Sequence, residues 1–226
     1  MILIFWVNHG EVKNNAYYIF QSIFNHETCV GMLGAQYAAS WTPKGLKHLI
    51  IVNSPASMDL CQAGMNTLLE KFPAEVMQMM HKHEAEGMTH DREYQIWMKK
   101  FYRKHICNMD PIAKVLVDSM KAMESEPTVY RTMLVPATLL SWLFLHSNRQ
   151  GPSEFAVTGT LKGWTIIDIL HNISCPTLLL STPLNDIQEP AVLPFFLKIP
   201  KIKSVKFQNS AHLAHLEEPD KWIIYK

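Results

Sequence analysis

The hydrophobic positions of the first 58 residues predict strands around one helix. Apolar and β-branched residues cluster in MILIFWV, AYYIF and LKHLIIVN, with polar residues between them. Such short runs are typical of buried strands, and the run from Leu46 to Asn53 has the composition of a parallel strand covered on both faces. Residues 31–40 mix small and apolar side chains and predict a closely packed helix. The order strand, helix, strand indicates an α/β unit.

The middle of the chain has a different character. From about Asp59 to Met133 the sequence is polar and methionine-rich and offers no convincing strand. Pro73 and Asp110-Pro111 stand where helices are expected to start. This pattern predicts a helical segment, which we place at residues 59–165.

The α/β pattern returns near the end of the chain. TLLLS at 177–181 and the alternating residues 204–207 predict strands, while residues 192–197 and a stretch starting at Glu217 predict helices. We therefore expect an α/β core made of residues 1–58 and 166–226, interrupted by a helical cap at 59–165.

Composition narrows the functional classes. The 226 residues are 48% hydrophobic and 18% charged, with a net charge of +1, which is typical of a globular protein without a dedicated nucleic-acid surface. The apolar run at 134–146 is shorter than a membrane span of about 18 residues and contains Pro136. MILIFWV lacks the basic flank of a signal peptide. Four scattered cysteines without CxxC spacing make a zinc site unexpected. These features predict a soluble, cytoplasmic protein that binds neither membrane nor nucleic acid.

Seven stretches carry a resemblance to a known family. They are GMLGAQYAAS, PKGLKHLIIVNSPASM, HKHEAEGMTHDREYQIWMKKFYRKHIC, EPTVYRTM, GPSEFAVTGTLKGWTIIDIL, PTLLL and LPFFLKIPKIKSVKFQNSAHLAHLEEP. These stretches resemble the α/β-hydrolase superfamily and, more narrowly, the proline iminopeptidases. The resemblance implies an α/β fold with a parallel sheet and an inserted helical cap. The sheet is expected to be N-terminally truncated, because the family's H-G-G-P-G loop, which supplies oxyanion-hole N–H groups, has no counterpart here.

The same resemblance implies a reaction and some of its residues. Family members release an N-terminal proline by serine-type catalysis without a cofactor, so the expected partner is a small peptide or amide with a free α-amino group. His212, in Ser-Ala-His-Leu, matches the family's catalytic base. Glu154, in Gly-Pro-Ser-Glu-Phe, matches a glutamate that recognises the substrate's α-amino group.

Two neighbouring residues compete for the role of the triad acid. Counting from PTLLL, Asn185 occupies the position of the family's catalytic aspartate, and Asp186 that of an acidic residue that binds the substrate amine. An asparagine cannot stabilise an imidazolium by charge and can select the wrong tautomer. A shift of one residue would make Asp186 the triad acid, at the loss of one anchor for the amino group.

The nucleophile also has two candidates. Alignment backward from GMLG places Thr28 at the family's serine, whereas alignment forward from AYYIF places Ser22 there. In the second case residues 23–29 are an insertion that splits the G-x-S-x-G elbow. A second unmatched insertion covers residues 134–150. We interpret both as translated introns or as genuine loop divergence. These insertions, together with Asn185 at the acid position and the altered elbow, leave a second hypothesis open. The chain is then a catalytically inactive hydrolase remnant or a mis-spliced gene model.

Overall fold

The strands form a parallel sheet and a separate antiparallel pair. The computed structural model describes residues 2–7, 16–21, 26–89, 91–125, 128 and 157–224. Within these ranges the strands are β1 (Ile2–Val7), β2 (Ala16–Gln21), β3 (Leu49–Val52), β4 (Thr177–Ser181) and β5 (Ile202–Lys206). β1 pairs antiparallel with β2. β3, β4 and β5 are parallel in that order, so their carboxyl ends meet at one edge of the sheet.

Helices connect and cover these strands. They are α1 (His26–Trp41), α2 (Met58–Leu69), α3 (Ala74–Glu86), α4 (Arg92–His105), α5 (Lys114–Ser125), a 3₁₀ helix (Ile167–Asn172), α6 (Glu189–Lys198), α7 (Ala214–Glu217) and α8 (Pro219–Ile224). The predicted α/β class is confirmed, and α2 to α5 confirm the helical character of the middle segment as far as residue 125. The domain boundaries stay a prediction.

The predicted elements differ from the observed ones mainly at their ends. The strand TLLLS is confirmed residue for residue as β4, and the helix predicted at 31–40 extends back to His26. The predicted helix from Glu217 is instead two short helices that meet at Pro219. Proline has no backbone N–H to continue a preceding helix, but its fixed φ suits the first position of a new one.

The core lies between the parallel sheet and the helices beside it. Leu49, Ile51 and Leu179 of the central strands are almost fully buried, as is Phe195 of α6. α1 presents small residues to this core, including the fully buried Ala35, as expected from its sequence. The same cluster extends to buried side chains of α3 and α4: Val76, Met80, Tyr94, Met98 and Phe101. Sheet and helical segment therefore share one hydrophobic core.

Helix ends in the middle segment follow ordinary capping chemistry. Asp91 precedes α4, and its carboxylate accepts a hydrogen bond of 2.8 Å from the backbone N–H of Glu93, which satisfies one of the unpaired donors of the first turn. α3 ends at Gly87, whose φ of 66° is the left-handed conformation that glycine adopts without strain. Gly87 therefore sets where α3 ends, and Asp91 sets where α4 begins. The other end of α4, at His105, lies beside the candidate site.

Candidate active site

His212 lies in the loop between β5 and α7, which we call the histidine loop, at the carboxyl edge of the parallel sheet. The residue is buried, with 8% of its surface exposed. Its backbone N–H donates to the carbonyl oxygen of His105 at 3.2 Å. Its carbonyl oxygen accepts from the side-chain amide of Asn53 at 2.7 Å. The loop is thereby hydrogen-bonded both to the helical segment, through His105, and to the end of β3, through Asn53.

Carboxylates that follow His212 brace the same loop. Glu217 accepts backbone hydrogen bonds of 2.6 Å from both Ala211 and Asn108. Burial raises the pKa of Glu217, and these two N–H donors work against that rise. Glu218 accepts from the hydroxyl of Ser210. These bonds hold the loop at Ser210 and Ala211, directly before His212, and satisfy the backbone N–H of Ala211.

The loop between β4 and α6, which we call the acid loop, brings both candidate acids, Asn185 and Asp186, to the imidazole. These two residues are the acid pair. Nδ1 of His212 lies 2.7 Å from Oδ1 of Asn185 and 2.9 Å from Oδ1 of Asp186. Both oxygens accept hydrogen bonds, so the hydrogen of the neutral ring belongs on Nδ1. The basic lone pair is then on Nε2, as general-base catalysis requires.

The two acid candidates differ in charge and in their other contacts. Asn185 is 1% exposed, and its Oδ1 also accepts from the backbone N–H of Ile187 at 3.1 Å. Two donors on one oxygen fix the orientation of the amide. Its Nδ2 is buried without a hydrogen-bond partner among the described residues. Asp186 is the group of the two that can stabilise an imidazolium by charge. The geometry supports Asp186 as the orienting acid, with Asn185 as a neutral second acceptor.

Asn53 is a site residue that the sequence argument did not identify. It follows β3 with a φ of 42°, in the left-handed region that asparagine tolerates better than most residues. Besides its bond to His212, its Oδ1 accepts from the hydroxyl of Thr182, just after β4, at 3.3 Å. A polar residue directly after a buried parallel strand is the signal that could have found it, because sites form at that edge.

The structure brings together three of the six predicted site residues: His212, Asn185 and Asp186. Ser22 and Glu154 lie outside the described residues. Thr28 lies in the first turn of α1, so the last four residues of the proposed insertion 23–29 are helical. The choice between the two nucleophile candidates stays a prediction.

A close approach between α2 and the acid loop yields a test by substitution. A Cβ placed on Gly64 would lie 2.9 Å from Cβ of Gln188, and the side-chain amide of Gln188 donates to the carbonyl of Asn185. Gly64→Ala is expected to destabilise the fold: overpacking costs about 1–3 kcal/mol, against a helix-propensity gain of about 1 kcal/mol. Urea denaturation measures the net change in the free energy of unfolding.

The matched control for this test is Asn66→Ala, an exposed position on the same helix. It gains propensity without a clash and is expected to be neutral or slightly stabilising. If Gly64→Ala stabilises the protein as much as the control does, α2 does not approach the acid loop as described.

The described residues offer neither a membrane-spanning helix nor a cluster of metal ligands. Among them, no helix combines the length and the apolarity needed to cross a membrane. The same residues contain no group of three or more His, Cys, Asp or Glu side chains placed to hold a metal ion.

Comparison with known proteins shows what this chain is similar to. A proline iminopeptidase of Thermoplasma volcanium is 27% identical over 192 residues, which cover 85% of this chain and 59% of the relative. One of Heyndrickxia coagulans is 26% identical over 191 residues, covering 84% of this chain and 60% of the relative. The chain thus spans about three-fifths of the length of these relatives. No protein-family model matches the sequence.

Solved structures agree with these relatives. The crystal structure of proline iminopeptidase from Mycobacterium smegmatis superimposes with a TM-score of 0.72 at 35% identity, covering 86% of this chain and 60% of that one. The crystal structure of VinJ gives 0.74 at 34% identity, with 86% and 62% covered. With the parallel sheet and its flanking helices, these similarities show that the chain belongs to the α/β-hydrolase superfamily. Within that superfamily, the curated relatives that it resembles over about 85% of its length are proline iminopeptidases.

Proposed function

We propose that this chain is a serine-type hydrolase that releases an N-terminal proline from a peptide or cleaves a related small amide. The observation that carries the proposal is the buried contact of 2.9 Å between Nδ1 of His212 and the carboxylate of Asp186. A carboxylate that orients an imidazole is the part of a hydrolytic triad that sets the tautomer and stabilises the charge formed during reaction. Named relatives on the proline iminopeptidase branch support the choice of substrate class.

The proposed reaction follows from that geometry. Nε2 of His212 accepts the hydroxyl proton of the nucleophile, for which Ser22 and Thr28 are the candidates, while the oxygen attacks the carbonyl carbon of the substrate. Asp186 stabilises the resulting imidazolium across Nδ1. The imidazolium then gives its proton to the leaving amine, and water cleaves the acyl-enzyme by the same steps. Glu154 is proposed to bind the substrate's α-ammonium group.

A second candidate is a hydrolase-like protein without catalytic activity. The observation in its favour is that the oxygen of Asn185 is nearer to Nδ1 than that of Asp186, at 2.7 Å against 2.9 Å. The imidazole N–H is therefore shared with a neutral amide, which weakens the electrostatic support of the imidazolium.

Two measurements on the purified chain separate the candidates. A prolyl anilide with a free amino group is expected to be hydrolysed, and its N-acetylated counterpart is not, because the ammonium is lost. Treatment with a fluorophosphonate, followed by peptide mass spectrometry, is expected to mark Ser22 or Thr28. Ser22→Ala and Thr28→Ala are matched variants, of which one removes labelling and turnover. A folded sample that neither labels nor turns over substrate supports the inactive protein.

A further inference from the structure

His105 contacts both loops that build the candidate site. It is the last residue of α4 and is 4% exposed. Its Nδ1 lies 2.8 Å from the carbonyl oxygen of Leu184, directly before Asn185. Its own carbonyl oxygen accepts the backbone N–H of His212 at 3.2 Å. One residue of the helical segment is thus bonded to the acid loop through its side chain and to the histidine loop through its backbone.

The chemistry of this contact fixes the protonation of the ring. A carbonyl oxygen only accepts, so Nδ1 of His105 carries the hydrogen and donates it. Burial lowers the pKa of His105, an effect that the hydrogen bond to Leu184 partly opposes. The neutral form with hydrogen on Nδ1 is therefore favoured at neutral pH. In that form the ring holds the carbonyl of the peptide group whose nitrogen belongs to Asn185.

We propose that His105 is a positioning residue, which holds the acid pair and His212 at their mutual distance by clamping Leu184. The kinetic test of this inference rests on the proposed function, because kcat can be measured only if the chain turns over a substrate. The acid loop enters the site immediately after the clamped carbonyl, so rotation of that peptide group moves the carboxylate relative to Nδ1. Misplacement by about 1 Å in an active site costs on the order of 10²-fold in rate.

A purely structural role for His105 is the competing explanation. Its ring also packs against Phe101, with centroids 4.9 Å apart. Two substitutions separate packing from hydrogen bonding. His105→Phe keeps an aromatic ring but has no donor. His105→Asn loses the ring but keeps an amide N–H at about the place of Nδ1.

If the hydrogen bond of His105 is what matters, the two variants rank in opposite order by kcat and by Tm. His105→Phe is expected to lower kcat by about 10–100-fold with little change in KM, because the acid is misplaced after the substrate has bound. His105→Asn is expected to recover most of this loss, although the missing ring lowers its Tm. If both variants lose kcat in proportion to their Tm, or if only His105→Phe is active, His105 acts by packing and the clamp is wrong.

A readout without turnover distinguishes failure of the clamp from failure of the proposed function. The imidazole N–H on Nδ1 of His212 gives a proton resonance in ¹⁵N-histidine-labelled protein, assigned by its loss in His212→Ala. We expect His105→Phe to shift or broaden this resonance and His105→Asn to leave it close to that of the wild type. That result supports the clamp even in a chain that hydrolyses nothing. An unchanged resonance in His105→Phe overturns it.

Discussion

Replacing His212 by alanine is expected to lower kcat/KM for a prolyl anilide by about 10⁴-fold or more. In the proposed reaction the imidazole both takes the nucleophile's proton and returns it to the leaving amine. No other described side chain of the site contacts Asn185 and Asp186 in this way. The structural cost is expected to be smaller. The loop keeps its backbone bonds to His105 and Asn53, neither of which needs the imidazole.

His215 supplies the matched control for this experiment. It lies three residues further on, in α7, where its ring packs against Trp222 at 5.8 Å. His215→Ala removes an imidazole of the same size and is expected to leave kcat/KM nearly unchanged. Steady-state kinetics and thermal unfolding of both variants are the measurements. Retained turnover in folded His212→Ala would show that another group is the base.

Asp186→Asn is expected to cost about 10³–10⁴-fold in kcat/KM. The substitution keeps the shape of the side chain but removes the charge that is proposed to stabilise the imidazolium. It also allows an amide N–H to face Nδ1 and select the wrong tautomer. The residual Oδ1 of Asn185, 2.7 Å from Nδ1, keeps the loss from growing further because it still accepts the ring hydrogen. Comparison of pH–rate profiles with the wild type is the measurement.

Asn185→Asp is the reciprocal variant and is expected to retain activity. A second carboxylate beside Nδ1 favours the imidazolium, so the base becomes available only at higher pH. The acid limb of the kcat/KM profile should therefore move to higher pH. If Asn185→Asp instead raises a negligible activity by orders of magnitude while Asp186→Asn changes nothing, position 185 is the acid position, and Asp186 does not perform that role.

The fold was largely predictable because its signals are local. β4 is a short apolar run bounded by Pro176 and Pro183, and the small residues of α1 mark a helix that approaches the sheet closely. Element ends were less predictable, since they depend on single contacts. The break before Pro219 could have been read from the absent proline N–H, whereas the extension of α1 back to His26 has no comparable signal in its sequence.

The candidate site was predictable only in part, for a physical reason. Both Asn185 and Asp186 reach the imidazole because of the path of their loop, and counting residues from β4 cannot supply that path. His105 and Asn53 were missed because their contacts join positions 79 and 159 residues apart. Each acts on a backbone carbonyl, and every residue carries one, so no pattern of side chains marks the partner.

Because the helical segment supports the histidine loop, it cannot be exchanged freely for the corresponding segment of another protein. Residues 105–108 supply the carbonyl that accepts the N–H of His212, the N–H that binds Glu217, and a side-chain amide that donates to Asn209 at 2.9 Å. A chimera that exchanges residues 58–125, which contain helices α2 to α5, would discard these contacts. Junctions placed before His105 keep the end of α4, and with it the contacts that hold the loop of His212.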